Sequence, residues 1–190
     1  MSTIEWMAAG LGIVTVLLVV RRSIWNFPFA LAMVSLYFFV FFEAKLYSDA
    51  LLQVFFFAIN VYGWWAWSRA PQVDDGVEVG ALRPSTRAQW IAGTGIGSAL
   101  LGWIMATYTD AAAPFADAAI AGMSVSAQIL QSLRRLESWV LWIAVDVLAI
   151  GVYSSRGLYP TTALYAVFLV MAVVGLMEWR RQAAARTAMA

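Results

Sequence analysis

The sequence predicts an all-α membrane protein with seven transmembrane helices, arranged as two parallel three-helix repeats joined by an inversion helix (3+1+3). Three observations support this prediction. The 190 residues are 63% hydrophobic and only 12% charged, with a mean hydropathy of +0.76, whereas soluble domains are about half apolar and about a quarter charged. The apolar residues occur in runs long enough to cross a bilayer. The first and last parts of the chain also align with each other at one fixed offset, without a gap.

Seven apolar runs define the predicted helices. The first is followed by Arg21 and Arg22 and has neither a basic leader nor a small-residue cleavage site, so it is predicted to be a retained helix and not a signal peptide. The fifth is polar for a lipid-facing helix because it contains Ser124, Ser126 and Gln128. In chain order, the expected spans are 4–20, 24–42, 48–68, 87–108, 116–132, 138–154 and 159–179.

The distribution of basic residues predicts the orientation of these helices. The one sizeable loop, 69–86, contains Pro, Gly and acidic residues and is predicted to be a solvated connector. With the N-terminus outside, ten arginines fall in cytoplasmic segments, and only Lys45 and Arg156 fall outside. The opposite orientation would reverse this imbalance. We therefore expect a multi-pass protein with its N-terminus outside and its C-terminus in the cytoplasm.

The repeat offset, which we define as the shift that places Gly63 on Gly175, predicts a duplication. The same shift pairs Trp67 with Trp179, among other matches that include Ala, Leu, Phe, Tyr and Arg. Because the offset spans four helices, an even number, both triplets would enter the membrane in the same direction, and the fourth helix would invert the chain between them. The single transmembrane domain would then consist of a first repeat, a loop with the linking helix, and a second repeat, at 1–69, 70–110 and 111–190.

Composition excludes several classes of function. Cysteine and histidine are both absent, so the chain has no thiolate, imidazole or disulfide, and we predict no catalytic site, metal site or cofactor. A net charge of +1 argues against a nucleic-acid partner. Gly93, Gly95 and Gly97 are spaced like part of a phosphate-binding loop. No strand precedes them, so close helix packing is the predicted role.

Polar and aromatic residues share one face of the third predicted helix. At about 100° per residue, Gln53, Phe57, Asn60, Trp64 and Trp67 fall within a stripe roughly 80° wide. Polar groups at membrane depth are costly unless they are paired, so this stripe should face the bundle interior or a hydrated cavity.

The sixth predicted helix has a similar face. Trp139, Trp142 and Asp146 lie along it with Ile150 and Tyr153, and a carboxylate at membrane depth is by default a functional-site hypothesis. Together the two faces offer indoles, amides and one acid. This set suits a ligand with a flat, cationic ring and a hydroxylated or amide-bearing part.

Other interpretations of these residues remain open from the sequence alone. Gln53 and Asn60 could hydrogen-bond between helices without touching a ligand. Trp65 and Trp179, near cytoplasmic ends, are assigned to the interfacial aromatic belt, and Trp139 could belong there too. Residues of the fifth helix either line the cavity or pack it: Ser124, Gln128 and Gln131.

Residues 51–68, LLQVFFFAINVYGWWAWS, resemble the NxYGWxxW signature of the PnuC-type vitamin transporters. Segments 113–118, 137–147 and 157–169 resemble later parts of the same family, so the similarity covers nearly the whole chain. The resemblance implies facilitated-diffusion uptake of nicotinamide riboside across the bacterial inner membrane, on a scaffold similar to that of the SWEET sugar transporters. It also implies functional coupling to a cytosolic vitamin kinase, and a homo-oligomer is compatible with it.

The resemblance also suggests which residues bind the substrate. By the family's pattern these are Asn26, Gln53, Asn60, Trp139 and Trp142, and the face analysis adds Trp64 and Asp146. Ser138 is included because it stands where the family pattern has Asn and corresponds to Asn26 at the repeat offset. Many nicotinamide riboside members resemble ENWxxW where this chain has Ser138, which shortens one hydrogen-bonding arm and leaves thiamine or another ring-bearing vitamin as an alternative. A proton-coupled version is motivated by Asp146. A membrane enzyme is the alternative from a different class, and the intramembrane acids show no acid/base or metal-binding spacing that favours it.

Overall fold

A computed structural model of the protein describes residues 3–43, 47–73, 76–111 and 113–189. These ranges contain seven α-helices and one short antiparallel hairpin, so the predicted number of helices is confirmed. Lys45, predicted to lie on the outer side, is outside the described residues. In chain order the elements are α1 (Thr3–Val20), α2 (Asn26–Glu43), α3 (Tyr47–Ser68), β1 (Gln72–Val73), β2 (Gly76–Val77), α4 (Pro84–Tyr108), α5 (Pro114–Ser132), α6 (Glu137–Ser155) and α7 (Tyr159–Met189).

The predicted spans agree with these helices to within a few residues except at the end of α7. That helix continues to Met189, well beyond its predicted end at Trp179. The extension, RRQAAARTAM, contains good helix formers and no Gly or Pro, so nothing in its sequence stops the helix.

Five helices are long and apolar enough to cross a membrane, namely α2, α3, α4, α6 and α7. The apolar part of α1, Trp6–Val20, is shorter. Helix α5 is more polar, because five of its residues are Ser or Gln: Ser124, Ser126, Gln128, Gln131 and Ser132. The protein is therefore a multi-pass membrane protein in which α5 is the helix least suited to contact with lipid.

Six of the helices pack in a closed ring. The main contacts run from α1 to α2, α2 to α3, α3 to α5, α5 to α6 and α6 to α7, and α7 packs back on α1. Helix α4 lies outside this ring and packs mainly on α5, where the Thr94 and Ser126 hydroxyls are hydrogen-bonded at 2.7 Å. The polar face of α5 is thus covered by helices instead of by lipid.

The turns after α1 and α5 have the same geometry. Arg22 and Arg134, which correspond at the repeat offset, have φ values of 56° and 59° and are the two non-glycine residues with positive φ in the described ranges. In each turn the next amide donates to a carbonyl five residues back, at 2.9 and 2.8 Å, which is a Schellman-type helix end. The side chains of Asn26 and Ser138, which also correspond, each donate to the carbonyl three residues before them, at 2.7 and 2.8 Å.

Two glycines related by the repeat offset allow a ring to approach a helix backbone. A Cβ added to Gly63 would lie 2.6 Å from Cε1 of Phe27, and one added to Gly175 would lie 2.6 Å from Cη2 of Trp139. Phe27 and Trp139 themselves correspond at this offset. Helix α2 therefore packs on α3, and α6 on α7, through an aromatic ring that lies against a glycine.

The core of the helix ring contains a cluster of tryptophans. Trp67 and Trp179 have no exposed surface, and Trp139 is 2% exposed. The Trp67 indole N–H donates to the Ser132 carbonyl at 3.2 Å, and the Trp179 indole N–H donates to the Val19 carbonyl at 3.1 Å. The first indole therefore joins α3 to α5, and the second joins α7 to α1.

The assignment of Trp179 to the interfacial belt is wrong. That assignment considered only the depth of the residue along its helix. On α7, Ala172, Gly175 and Trp179 are spaced three and four apart and share one buried face, so the indole points into the ring and not toward lipid headgroups. Trp65, by contrast, is 53% exposed, with the Arg69 guanidinium 4.5 Å from its ring centroid.

The sequence predicted that the connector 69–86 is solvated, but the structure buries part of it. Val77 and Val79 are 1% and 5% exposed and pack in the tryptophan core. The Val77 amide donates to the Arg22 carbonyl at 3.2 Å, and the Gly80 amide donates to the Arg134 carbonyl at 3.1 Å. The Glu137 carboxylate then accepts bonds from the Leu82 amide and the Arg87 guanidinium. The connector closes this end of the ring because its apolar residues are buried and its backbone is bonded to both turns.

Gly93, Gly95 and Gly97 of α4 do not support close helix packing. A Cβ added to Gly93, Gly95 or Gly97 would meet no atom within 4 Å. Gly93 and Gly97 line an open groove between α4 and α5. The packing prediction for these three residues is wrong within this chain, because α4 turns most of its surface away from the ring.

Candidate functional site

A chain of buried polar side chains links α3 to α5. Asn60 is 4% exposed. Its amide nitrogen donates to the Phe56 carbonyl at 2.8 Å, and its amide oxygen accepts a bond from the Gln128 side chain at 3.2 Å. Both groups of the Asn60 amide are therefore paired, as expected for a polar group at membrane depth.

A second bond links α5 to α6. The Trp142 indole N–H donates to the Gln131 side-chain oxygen at 2.8 Å. Gln128 and Gln131 are three residues apart, so they lie on one face of α5 and point to α3 and α6 respectively. This bond to Gln131 restricts the rotation of the Trp142 ring, which is only partly buried.

Asp146 lies one turn after Trp142 on the same face of α6. The residue is 3% exposed, and among the described residues no side chain or backbone amide forms an ion pair or hydrogen bond with it. Tyr153 follows two turns later on the same face, and its ring lies 5.3 Å from that of Tyr165 on α7, between centroids. The carboxylate thus lies on an aromatic face of α6.

The structure brings together some of the predicted site residues but not others. Asn60, Trp142 and Asp146 face the interior, and Gln53 is half-buried two turns before Asn60. Phe57 and Trp64, however, are 45% and 40% exposed. The predicted stripe on α3 was therefore too wide. Only its inner edge is buried, where α3 contacts α2 and α5.

Three further predicted residues lie at the starts of α2 and α6. Asn26, Ser138 and Trp139 are 2%, 0% and 2% exposed. The two polar side chains cap the preceding turns, and the Trp139 ring packs edge-on against Trp179 with centroids 5.5 Å apart. The Trp139 indole N–H is buried without a hydrogen-bond partner among the described residues. Its burial excludes the alternative assignment to the interfacial belt.

Gln128, Gln131 and Tyr165 are the interior residues that the sequence did not assign. The two glutamines were left open between lining and packing, and the structure shows them bonded to Asn60 and Trp142. Tyr165 was missed. It corresponds to Gln53 at the repeat offset, so the alignment that pairs other interior positions could have identified it.

Comparison with known proteins identifies the family. A family model described as nicotinamide mononucleotide transporter matches residues 2–181. The chain belongs to this family. The resemblance to PnuC-type transporters is thereby confirmed.

Several named transporters are similar to this chain over most of their length. The chain is 28% identical to the nicotinamide riboside transporter PnuC of Escherichia coli, with 98% of this chain and 88% of that one covered. It is 26% identical to the riboflavin/roseoflavin transporter RibM of Streptomyces davaonensis, with 89% and 80% covered. The structure also matches the crystal structure of the vitamin B3 transporter PnuC, with a TM-score of 0.80, 26% identity, and 94% and 81% of the two chains covered.

Proposed function

We propose that this protein mediates facilitated diffusion of nicotinamide riboside into the bacterial cytoplasm. The observation that carries the proposal is the pair of hydrogen bonds that join Gln128 to Asn60 and Trp142 to Gln131, inside a ring of helices whose sequence is similar to PnuC over 98% of the chain. Side-chain amides can bind the hydroxyl groups and carboxamide of such a solute, and an indole face can stack on its pyridinium ring. A cytosolic kinase that phosphorylates the arriving vitamin would make uptake one-way.

The charges of the interior favour the riboside over the mononucleotide named in the family description. A mononucleotide carries a phosphate, and phosphate sites in proteins use Arg, Lys or backbone amides at a helix N-terminus. The polar chain of this protein contains no Lys or Arg, and the nearest charged group on its α6 face is the carboxylate of Asp146. A dianion would be repelled there, whereas an uncharged ribose and a cationic ring would not.

We also propose the 3+1+3 architecture, with a first repeat at 1–69, a linker with the inversion helix at 70–110 and a second repeat at 111–190. The matching turns at Arg22 and Arg134 and the matching glycine contacts at Gly63 and Gly175 support it. The location of α4 outside the ring supports its role as the helix that inverts the chain. The substrate would then cross between two triplets of like orientation.

The proposed orientation places the N-terminus outside. The connector is hydrogen-bonded to the turns at Arg22 and Arg134, so these basic segments lie at one end of the ring. Segments rich in arginine are typical of the cytoplasmic side, which supports this orientation. The chain has no cysteine, so a single introduced thiol reports its own side. Ser154→Cys is expected to react with a membrane-impermeant maleimide in intact cells, and Ser68→Cys only after permeabilisation. Reversed labelling of the two variants would reject the orientation.

The proposed substrate contacts are those predicted residues that face inward or border the interior: Asn26, Gln53, Asn60, Ser138, Trp139, Trp142 and Asp146. We leave Trp64 out because its side chain is 40% exposed. Among the proposed contacts, Asn26, Ser138 and Trp139 are held in the buried turns and core, so they form the end of the path near the connector.

Trp142→Ala is expected to weaken binding of nicotinamide riboside about tenfold, because loss of a stacked cation contact costs about 1–2 kcal/mol. Isothermal titration of the purified protein measures the change in Kd. Trp64→Ala, another tryptophan but on the exposed face of α3, is the matched control and should leave Kd unchanged. Equal losses in both variants would contradict the assignment of binding to the interior face alone.

Uptake into proteoliposomes tests the function itself. Labelled nicotinamide riboside is expected to equilibrate across the membrane without exceeding its external concentration, with or without a proton gradient. Thiamine and riboflavin belong in the same panel, riboflavin because a relative is a riboflavin/roseoflavin transporter. Transport of thiamine or riboflavin but not of nicotinamide riboside would reassign the substrate, and accumulation driven by the gradient would indicate proton coupling.

A further inference from the structure

Asp146 is a buried carboxylate without a partner in the part of the chain that the structure describes. Its side chain lies on the interior face of α6, 3% exposed. The ion pairs among described residues lie elsewhere: Arg87 with Glu137, Arg156 with Asp117, and Arg181 with Glu178. A buried charge that is neither paired nor hydrogen-bonded costs several kcal/mol. An ionisable residue kept inside a membrane protein is expected to pair with another protein group or with a bound ligand.

The surroundings of Asp146 are aromatic. Trp142 lies one turn before it and Tyr153 two turns after it on the same face of α6, and the Tyr153 ring packs against that of Tyr165 on α7. Ring faces carry negative partial charge and attract cations. A carboxylate beside such rings is suited to a cation whose charge is spread over a flat ring.

The acid has no counterpart in the other triplet. At the repeat offset, Asp146 corresponds to Val34, and Trp142 corresponds to Ala30. Gln128 and Gln131 likewise correspond to valines, at positions 16 and 19. The polar groups are therefore concentrated beside α3, α5 and α6, and a charged ligand would be held off the axis between the triplets, with its cationic ring toward α6.

We propose that Asp146 determines charge specificity: it favours substrates with a fixed positive charge on an aromatic ring over neutral rings of the same shape. This inference rests on the proposed function and deepens it. Within the vitamins considered, nicotinamide riboside and thiamine carry such a charge, whereas riboflavin has a neutral ring system. The amides and Trp142 would bind either kind of ring, and Asp146 would discriminate between them.

The test compares two ligands that differ in the charge of the ring. Nicotinamide riboside has a cationic pyridinium, and its dihydro form has nearly the same shape with a neutral ring. For the unaltered protein we expect at least about tenfold tighter binding of the cation, as measured by titration. In Asp146→Asn, which keeps the size of the side chain, binding of the cation should fall about tenfold while binding of the neutral form changes less than about twofold.

The control is Asp117→Asn. This acid lies on α5 and forms a partly exposed ion pair, 3.0 Å long, with Arg156, which follows the last residue of α6. Its replacement should not alter the ratio of the two affinities. If Asp146→Asn left the ratio of the two affinities unchanged, for example by weakening the binding of both ligands equally, the inference would be overturned. That result leaves the proposed function intact if nicotinamide riboside is still transported by the unaltered protein. Failure of the unaltered protein to bind or transport it would instead reject the proposed function.

Discussion

Replacing Trp179 with alanine is expected to lower the free energy of unfolding by about 3–5 kcal/mol, the range for removal of a large aromatic residue from a packed core. The Trp179 ring has no exposed surface and contacts the rings of Trp139 and Trp67, with centroids 5.5 and 6.1 Å apart. Its N–H also satisfies the Val19 carbonyl. The substitution would leave a cavity where α7 meets α1 and remove one bond that closes the ring.

Denaturant unfolding of the detergent-solubilised protein, followed by circular dichroism, measures this loss. Trp103→Ala is the matched control, because that tryptophan is 55% exposed on α4 outside the ring. It should change the free energy of unfolding by no more than about 0.5 kcal/mol. If both variants unfolded at the same denaturant concentration, Trp179 could not be part of the core.

Adding a single methyl group at Gly175 is the second large effect. Gly175→Ala is expected to destabilise the protein by about 1–3 kcal/mol, because the new Cβ would lie 2.6 Å from the Trp139 ring, which is itself held against Trp179. Gly63→Ala should behave similarly, since its Cβ would lie 2.6 Å from the Phe27 ring. The comparison tests the idea that the two triplets use the same contact.

The control reverses the expected sign. Gly151 lies on the exposed face of α6, and a Cβ added there would meet no atom within 4 Å. Gly151→Ala should therefore be neutral or stabilise the helix by up to about 1 kcal/mol, the usual difference between glycine and alanine in a helix. Denaturant unfolding of Gly175→Ala, Gly63→Ala and Gly151→Ala measures the change in the free energy of unfolding for each variant. A stabilising effect of Gly175→Ala would show that α6 and α7 do not approach as closely as described.

The residues of α3 illustrate how far periodicity alone can predict a site. The helical spacing correctly placed Asn60 on the interior face, but it also included Trp64, which is 40% exposed. Spacing determines the angles between side chains on one helix. It does not determine how far a buried face extends, because that depends on which neighbours pack on either side. The contacts of α3 with α2 and α5 set that limit.

The tryptophans show a second reason why the sequence alone does not predict which side chains are buried. Trp65 and Trp179 both lie near helix ends and have the same chemistry, yet the first is 53% exposed and the second is fully buried. In a soluble protein, hydropathy distinguishes the core from the surface. In a membrane protein, lipid and core are both apolar, so composition cannot tell which apolar residues face inward.

The sequence by itself determined the membrane class, the seven helices, the repeat offset and the polar positions at Asn60, Trp142 and Asp146. These features depend on local composition and spacing, which the chain carries in any conformation. Only the tertiary structure decided that Gln128 and Gln131 bond to Asn60 and Trp142, that the connector buries Val77 in the tryptophan core, and that Asp146 has no partner among the described residues. Those properties depend on groups far apart in the chain, and their positions follow only when the helices have packed.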